Sequence, residues 1–265
     1  MIPTPIAAPA EAAPVEASAS SPGWDAPFPG LRVLKRTVGP VRAVQVFGQR
    51  CSGTNVLTKL VAANFGAGAV TDRYGFKHWF VPAQVLFPAD VLVLVVAREA
   101  QGWARSLHRQ PWHAHPDLKA LGFAEFIRAE WHSYWDREFG GICETHPLHG
   151  REMLHEREPA TGKRFGNPLL KRTAKLRDWT GLAARAHNVA FLDQDVLHRA
   201  PRDLVCVLAE LLGAVPAGDY GPIETYKGNG FRRFEPTRYP DVSAADGAFI
   251  RDQLDPQVEA HFGFR

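Results

Sequence analysis

Three short stretches combine residue types at spacings that suit chemistry. The first is Gly48-Gln49-Arg50-Cys51-Ser52-Gly53, two glycines separated by four residues. Between a strand and a helix, such a loop turns its backbone N–H groups toward an anion, which the positive end of the helix dipole also attracts. The second is Arg98, which closes the apolar run Val91 to Ala97. A guanidinium cannot ligate a metal cation, but its planar fork matches a phosphate. The third is Phe76-Lys77-His78-Trp79-Phe80. An imidazole titrates near neutrality and can take a proton, and an adjacent ammonium can balance developing negative charge.

Both anion features differ from a nucleotide-hydrolysing site. There the loop continues Gly-Lys-Ser/Thr, and the hydroxyl holds Mg²⁺. Here it continues Gly53-Thr54-Asn55. A carboxylate commonly ends the second strand of such a site to support the metal, whereas this strand ends in Arg98. The expected ligand is an anionic nucleotide bound without a metal. The plain alternative is a tight glycine turn and a surface arginine.

Elements must position these groups. The pattern predicts a strand from Val41 to Phe47, the turn, and a helix from Asn55 to Phe65 with Leu57, Val61 and Phe65 on one face. A weaker strand or loop is expected from Ala69 to Phe80, and a strand buried on both faces from Val91 to Ala97. A helix from Glu99 to Leu107 follows. Residues Phe123 to Trp135 give the strongest helical periodicity, with Phe123, Phe126, Ile127, Trp131, Tyr134 and Trp135 on one face and Glu130 among them. Residues 136–168 lack periodicity and read as a lid or acceptor-binding insertion, with a hairpin turn at Thr161-Gly162. Then come a helix from Leu170 to His187, a strand from Val189 to Leu192 and a helix opening at Pro201 and ending at Gly213. From Gly221 a Gly- and Arg-containing loop precedes a short terminal helix. The alternation predicts an α/β fold: a doubly wound, mostly parallel sheet with helices on both faces, of P-loop nucleotide-binding type. Ligands of such sheets sit beyond the carboxyl ends of the strands, where the loop and Arg98 fall.

In these motifs the chain resembles the sulfotransferases that use 3′-phosphoadenosine-5′-phosphosulfate (PAPS). Their first motif is a strand, a loop containing Ser-Gly-Thr and a helix, here Gly48 to Asn55 with Ser52-Gly53-Thr54. Their second is a strand-ending Arg followed eight residues later by a Ser, matched by Arg98 and Ser106. Tyr226-Lys227-Gly228-Asn229-Gly230 is a shortened form of their late Lys-Gly segment. The likeness covers about residues 41–110 well and 170–230 loosely. It implies that Gly48, Arg50, Cys51, Ser52, Gly53, Thr54 and Asn55 cradle the donor's 5′-phosphosulfate. Arg98 and Ser106 would hold its 3′-phosphate, with Lys227 and Gly228 closing over it. Many members carry Lys-x-His with the His as general base, so His78 is the expected base, with Lys77 and Arg50 balancing charge on the sulfuryl oxygens. The chain departs from the family at Cys51, where many members have Lys or Arg, at Val56 and Leu57, where some have an aromatic, and in the adjacency of Lys77 and His78.

The expected function is metal-independent transfer of a sulfuryl group from PAPS to a hydroxyl or amine on a small molecule or glycan, releasing 3′,5′-adenosine bisphosphate (PAP). The alternatives are a non-catalytic PAP/PAPS-binding module and a Mg-dependent small-molecule kinase. For His78, the alternative is an imidazole wedged at a strand end between Phe76 and Trp79. Glu130 reads as a carboxylate paired with an arginine, or as a second acid-base group. His108, His113, His115, His132, His146, His149 and His155 read as loop residues, some lining the acceptor cleft, because no metal-site spacing joins them. Arg232 and Arg233 are candidates for a clamp on the 3′-phosphate, and His108, Arg109 and Trp112 for adenine or acceptor contacts.

Composition bounds the rest. A formal charge of +3 over 265 residues is too small to mark a nucleic-acid binder. No apolar run reaches the roughly 20 residues of a membrane span. Cys51, Cys143 and Cys206 do not make a disulfide framework. Residues 1–25 read as a disordered Ala/Pro-rich tail, because prolines interrupt what a secretory signal would need. One sulfotransferase-like domain over residues 26–265 and a cytoplasmic location are the resulting expectations.

Overall fold

The structure is a computed structural model that describes residues 23–216, 218, 220–226, 232–233 and 237–264. The strands and helices run in the order β1 (Asp25–Phe28), β2 (Leu31–Lys35), β3 (Ala43–Gly48), α1 (Thr54–Phe65), β4 (Val70–Thr71), β5 (Val91–Ala97), α2 (Ala100–Arg109), α3 (Pro116–Lys119), α4 (Phe123–Phe126), α5 (Pro168–Thr180), β6 (Asn188–Asp193), α6 (Val196–Arg199), α7 (Pro201–Leu212), β7 (Thr225–Tyr226), β8 (Arg232–Arg233), α8 (Ala244–Asp252) and α9 (Pro256–Ala260).

Six strands form one sheet in the order β1-β2-β6-β5-β3-β4. The pairs β3–β4, β3–β5 and β5–β6 are parallel, while β1–β2 and β2–β6 are antiparallel. The fold is thus α/β with a mostly parallel sheet. Alternating side chains of the central strands enter two cores. Val44, Val46, Leu92, Leu94, Val96 and Leu192 pack with Leu57, Leu60 and Val61 of α1 and Leu204, Leu208 and Leu211 of α7. Phe47, Val93, Val95 and Phe191 pack on the other face with Leu176 and Trp179 of α5 and Val258 of α9. This explains why every side chain of β5 is buried and why its sequence shows no polar alternation.

The register places the site. Gly48 pairs with Val96, and Ala97 with Asp193. The segments after β3, β5 and β6 therefore leave the sheet at the same edge.

Several expectations need correction. The helix predicted over Phe123 to Trp135 ends after one turn, at Phe126. Beyond it, Trp131 bridges Phe165 and Tyr134 bridges Glu152 in antiparallel pairs. Trp131, Ser133 and Trp135 are buried while His132 and Tyr134 are partly exposed, a period of two that the rings disguise as a helical stripe. Glu130 is accordingly exposed, and it pairs with Arg164 at 3.0 Å. The helix predicted from Leu170 starts at Pro168, capped by the Asn167 side chain, and ends at Thr180, before the 3₁₀ turn Gly181–Ala184. The predicted tail of residues 1–25 overlaps the sheet, since Asp25 opens β1, and its first 22 residues lie outside the described residues. β2 was not expected. The chain after Gly221 forms the β7–β8 ribbon and two helices, not one. Among the described residues, no helix is long and apolar enough to cross a membrane.

Candidate functional site

The loop after β3 has a shape that few residues permit. A Cβ on Gly48 would lie 2.5 Å from the Val96 carbonyl oxygen, so the close approach of β3 to β5 requires glycine. Cys51 and Gly53 have positive φ, 67° and 80°. The backbone of Arg50 is anchored by Trp103, whose Nε1 donates to its carbonyl at 3.0 Å, and Gln49 Nε2 donates to the Arg172 carbonyl at 2.8 Å. No side chain caps the N-terminus of α1, so its first-turn amides remain donors toward the cavity. The next strand–helix junction differs, because the carboxylate of Glu99 accepts from Gln101 and Gly102 at the start of α2.

A cavity of about 580 Å³ opens at this edge of the sheet. Arg50, Cys51, Gly53, Thr54, Asn55, Lys77, His78, Arg98 and Ser106 all line it. Gly48 and Ser52 do not line it, and Ser52 is buried. Lys227 and Gly228 lie outside the described residues. Thr237 and Tyr239 contribute another part of the lining, with Arg109 donating to the Thr237 hydroxyl at 2.8 Å and the Tyr239 ring 5.8 Å from the Arg98 guanidinium. Phe76, Trp112, His113, Glu138, Phe139 and Gly140 supply a further part, and Val56, Lys59, Gln194, Asp195 and His198 complete the wall.

Lys77 and His78 lie in a turn, not an extended segment, so both reach the same cavity. Lys77 Nζ donates to Asn55 Oδ1 at 2.5 Å, while its carbonyl accepts from the Gly48 N–H at 3.0 Å. His78 Nδ1 lies 2.6 Å from the Gly48 carbonyl oxygen, which can only accept. The proton is therefore on Nδ1 and the lone pair on Nε2. Burial first, and then the charges of Arg50 and Lys77, hold this imidazole well below its ordinary range. It is neutral at pH 7.

Arg50 departs from its expected part. Its guanidinium is buried, and Nη1 lies 2.6 Å from Glu156 Oε1. Glu156 also accepts from Lys171 at 3.0 Å and Lys175 at 2.8 Å. Burial opposes ionisation of Glu156, but the charges of these three cations prevail and hold its carboxyl well below the usual carboxylate range. Burial pushes both lysines down, Lys175 to about 8. Lys175 Nζ also donates to the His78 carbonyl at 2.5 Å. Arg50 Nε is buried without a hydrogen-bond partner among the described residues. Cys51 is a neutral thiol, which burial pushes up to about 11.

Glu156, Lys171 and Lys175 escaped the sequence reading. Glu156 lies in the aperiodic segment, and the two lysines resemble the polar face of a helix. The other histidines are dispersed. His108 meets the Leu121 carbonyl, His115 stacks on His132, and His155 stacks on Trp79. Among the described residues, no group of three or more His, Cys, Asp or Glu side chains is arranged to hold a metal. No protein-family model matches the chain, and no curated protein matches it.

Proposed function

We propose that the protein transfers a sulfuryl group from PAPS to a hydroxyl or amine acceptor without a metal, as a doubly wound, P-loop-type sulfotransferase. The observation that carries this reading is the shared cavity. Arg98 and Ser106 line the same space as the loop 50–55, Lys77 and His78. Two anion-binding features on adjacent strands suit a nucleotide with two separate anionic ends.

Bound there, PAPS would supply the activated sulfuryl group. The amides at the start of α1, with Thr54 and Asn55, meet the 5′ end. Arg98 and Ser106 meet the 3′-phosphate. His78 presents an Nε2 lone pair to the attacking group and takes its proton, and Lys77 offsets charge on the sulfuryl oxygens. Arg50 acts mainly through the Glu156 cluster, leaving its Nε–H as a further donor.

The pairing of Arg50 with Glu156, beside the uncharged Cys51, favours a second reading, a module that binds PAP or PAPS without turnover. One experiment separates the readings. PAP at 100 times its dissociation constant should stabilise the native chain by about 2.7 kcal/mol, a melting shift on the order of 5 °C. Labelled PAPS should then pass its sulfuryl group to members of an acceptor panel, equally well with and without chelator. PAP binding without transfer selects the module. A shift with ATP and Mg²⁺ but not with PAP selects a kinase.

A further inference from the structure

Three histidines, His78, His113 and His198, line the cavity, and neighbours of different character hold the Nδ1 atoms of the first two. His78 bonds a backbone carbonyl. His113 bonds a carboxylate, with Nδ1 2.6 Å from Asp136 Oδ1. His113 is buried and has a φ of +60°, a conformation that side chains other than glycine seldom adopt. Such strain collects at functional sites. Burial opposes the charge on Asp136, yet the hydrogen bond and charge of His113 outweigh it and keep the carboxylate ionised. A carboxylate on one ring nitrogen stabilises the imidazolium formed when the other takes a proton.

Rings connect the two histidines. His78 packs against Phe76 at 5.2 Å, Phe76 against Phe139 at 5.2 Å, and Phe139 against His113 at 5.5 Å. All four line the cavity, as do Trp112 and Glu138. The Glu138 N–H donates to Asp136 Oδ1 at 3.1 Å, joining this carboxylate to the dyad through one turn. Elsewhere the wall carries Arg50, Lys59, Lys77 and Arg98, which suit the anionic donor, and Asp195, whose carboxylate is paired with Arg199 at 3.2 Å. Glu138 would repel that donor, whereas a carboxylate beside aromatic faces attracts a cation.

Resting on the sulfuryl-transfer reading, we propose that the acceptor is a primary amine, received as its ammonium beside Glu138 and the aromatic wall, and that His113, oriented by Asp136, removes its first proton and His78 its second. An ammonium has no lone pair. Nε2 of His113 takes one proton and frees the amine. The nitrogen lone pair then forms the N–S bond as the bond from sulfur to the bridging phosphate oxygen breaks, with that electron pair leaving on PAP. Nε2 of His78 takes the second proton, leaving the sulfamate, and both imidazolium protons pass to water. A hydroxyl has one proton to lose and would need one histidine.

The test pairs isosteric acceptors, benzylamine with benzyl alcohol and glucosamine with glucose, using labelled PAPS. Each amine should exceed its alcohol by about tenfold or more in kcat/KM. His113→Asn, in which asparagine tolerates positive φ, and Asp136→Asn should each lower turnover of the amine about 10²-fold at pH 7, with PAP affinity unchanged as the control for folding. The charged groups around His113 are Asp136 at 2.6 Å, Lys119 at 3.8 Å from Asp136, and Glu138 on the same wall. Because the free amine no longer needs the first base, activity of both variants should recover as pH rises through the amine's own pKa, which a merely structural role would not produce. Glu138→Gln should raise KM for the amine and leave the alcohol unaffected. Alcohols preferred over amines, or full amine turnover by both variants at pH 7, would overturn the proposal and leave sulfuryl transfer standing. PAP binding without transfer to either class would remove both, and a wild-type chain that does not bind PAP would remove the donor reading first.

Discussion

The imidazole of His78 and the carbonyl of Gly48 lie 2.6 Å apart, and this contact ties the candidate base to the anion-binding loop. Gly48 is bonded from both sides, because its N–H also donates to the Lys77 carbonyl. The contact selects the tautomer with Nε2 open. His78→Ala should therefore lower kcat by about 10² or more with PAP affinity nearly intact. Steady-state rates beside PAP titrations check this, and unchanged turnover would take His78 out of the mechanism.

Arg98 should govern the nucleotide and not the acceptor. Losing one charge-assisted contact costs about 1.5–3 kcal/mol, so Arg98→Met should weaken PAP about 10- to 100-fold. Calorimetry with PAP and with 5′-AMP makes this specific. The variant's loss should be confined to the ligand that carries the 3′-phosphate.

Among the described residues, the Glu156 carboxylate meets three buried cations, Arg50, Lys171 and Lys175. Removing one member of such a buried cluster leaves uncompensated charge, at about 3–5 kcal/mol. Glu156→Gln should lose stability on that scale in a denaturant titration at pH 7. Its folded pKa lies below the unfolded value, so the stability it contributes is present above pH ~4.3 and lost as pH falls toward the folded value. Acid sensitivity should diminish in the variant.

Lys175 titrates in the opposite range. Folding lowers its pKa from 10.5 to about 8, so between these values the unfolded chain binds more protons and stability rises with pH, by roughly 3 kcal/mol at most. Lys171 is shifted in the same direction, while Cys51, pushed up to about 11, opposes them. Comparing wild type with Lys175→Met from pH 7 to 10.5 isolates one contribution. The wild-type curve should rise relative to the variant's, and parallel curves would refute the assignment.

Gly48→Ala should destabilise the chain by about 1–3 kcal/mol, as overpacking does, because its Cβ would meet the Val96 carbonyl oxygen at 2.5 Å. PAP binding should weaken with it, since the backbone that shapes the loop must shift. A melt and a PAP titration of the variant measure both.

The strand–loop–helix around Gly48, the buried strand Val91–Ala97 with Arg98 at its end, and helix Pro201–Leu212 were readable in one dimension. Each declares itself locally, through glycine spacing, an unbroken β-branched run, or a proline start and glycine stop. The stretch from Phe123 to Trp135 misled because aromatic residues at helical spacing also satisfy alternate burial, and bridges to Phe165 and Glu152 decided between the two. Local pattern thus settled which residues sit at strand ends, and parallel pairing then brought those ends together.

No local pattern announces Arg50–Glu156, separated by 106 positions, or His113–Asp136, separated by 23. A charged side chain has the same propensity whether it meets water or a buried partner, and its free energy depends on what long-range packing places beside it. Chain order was sufficient for the loop and the arginine. Only the folded arrangement determined which cation is taken up by a carboxylate, which imidazole nitrogen is open, and which groups share one cavity.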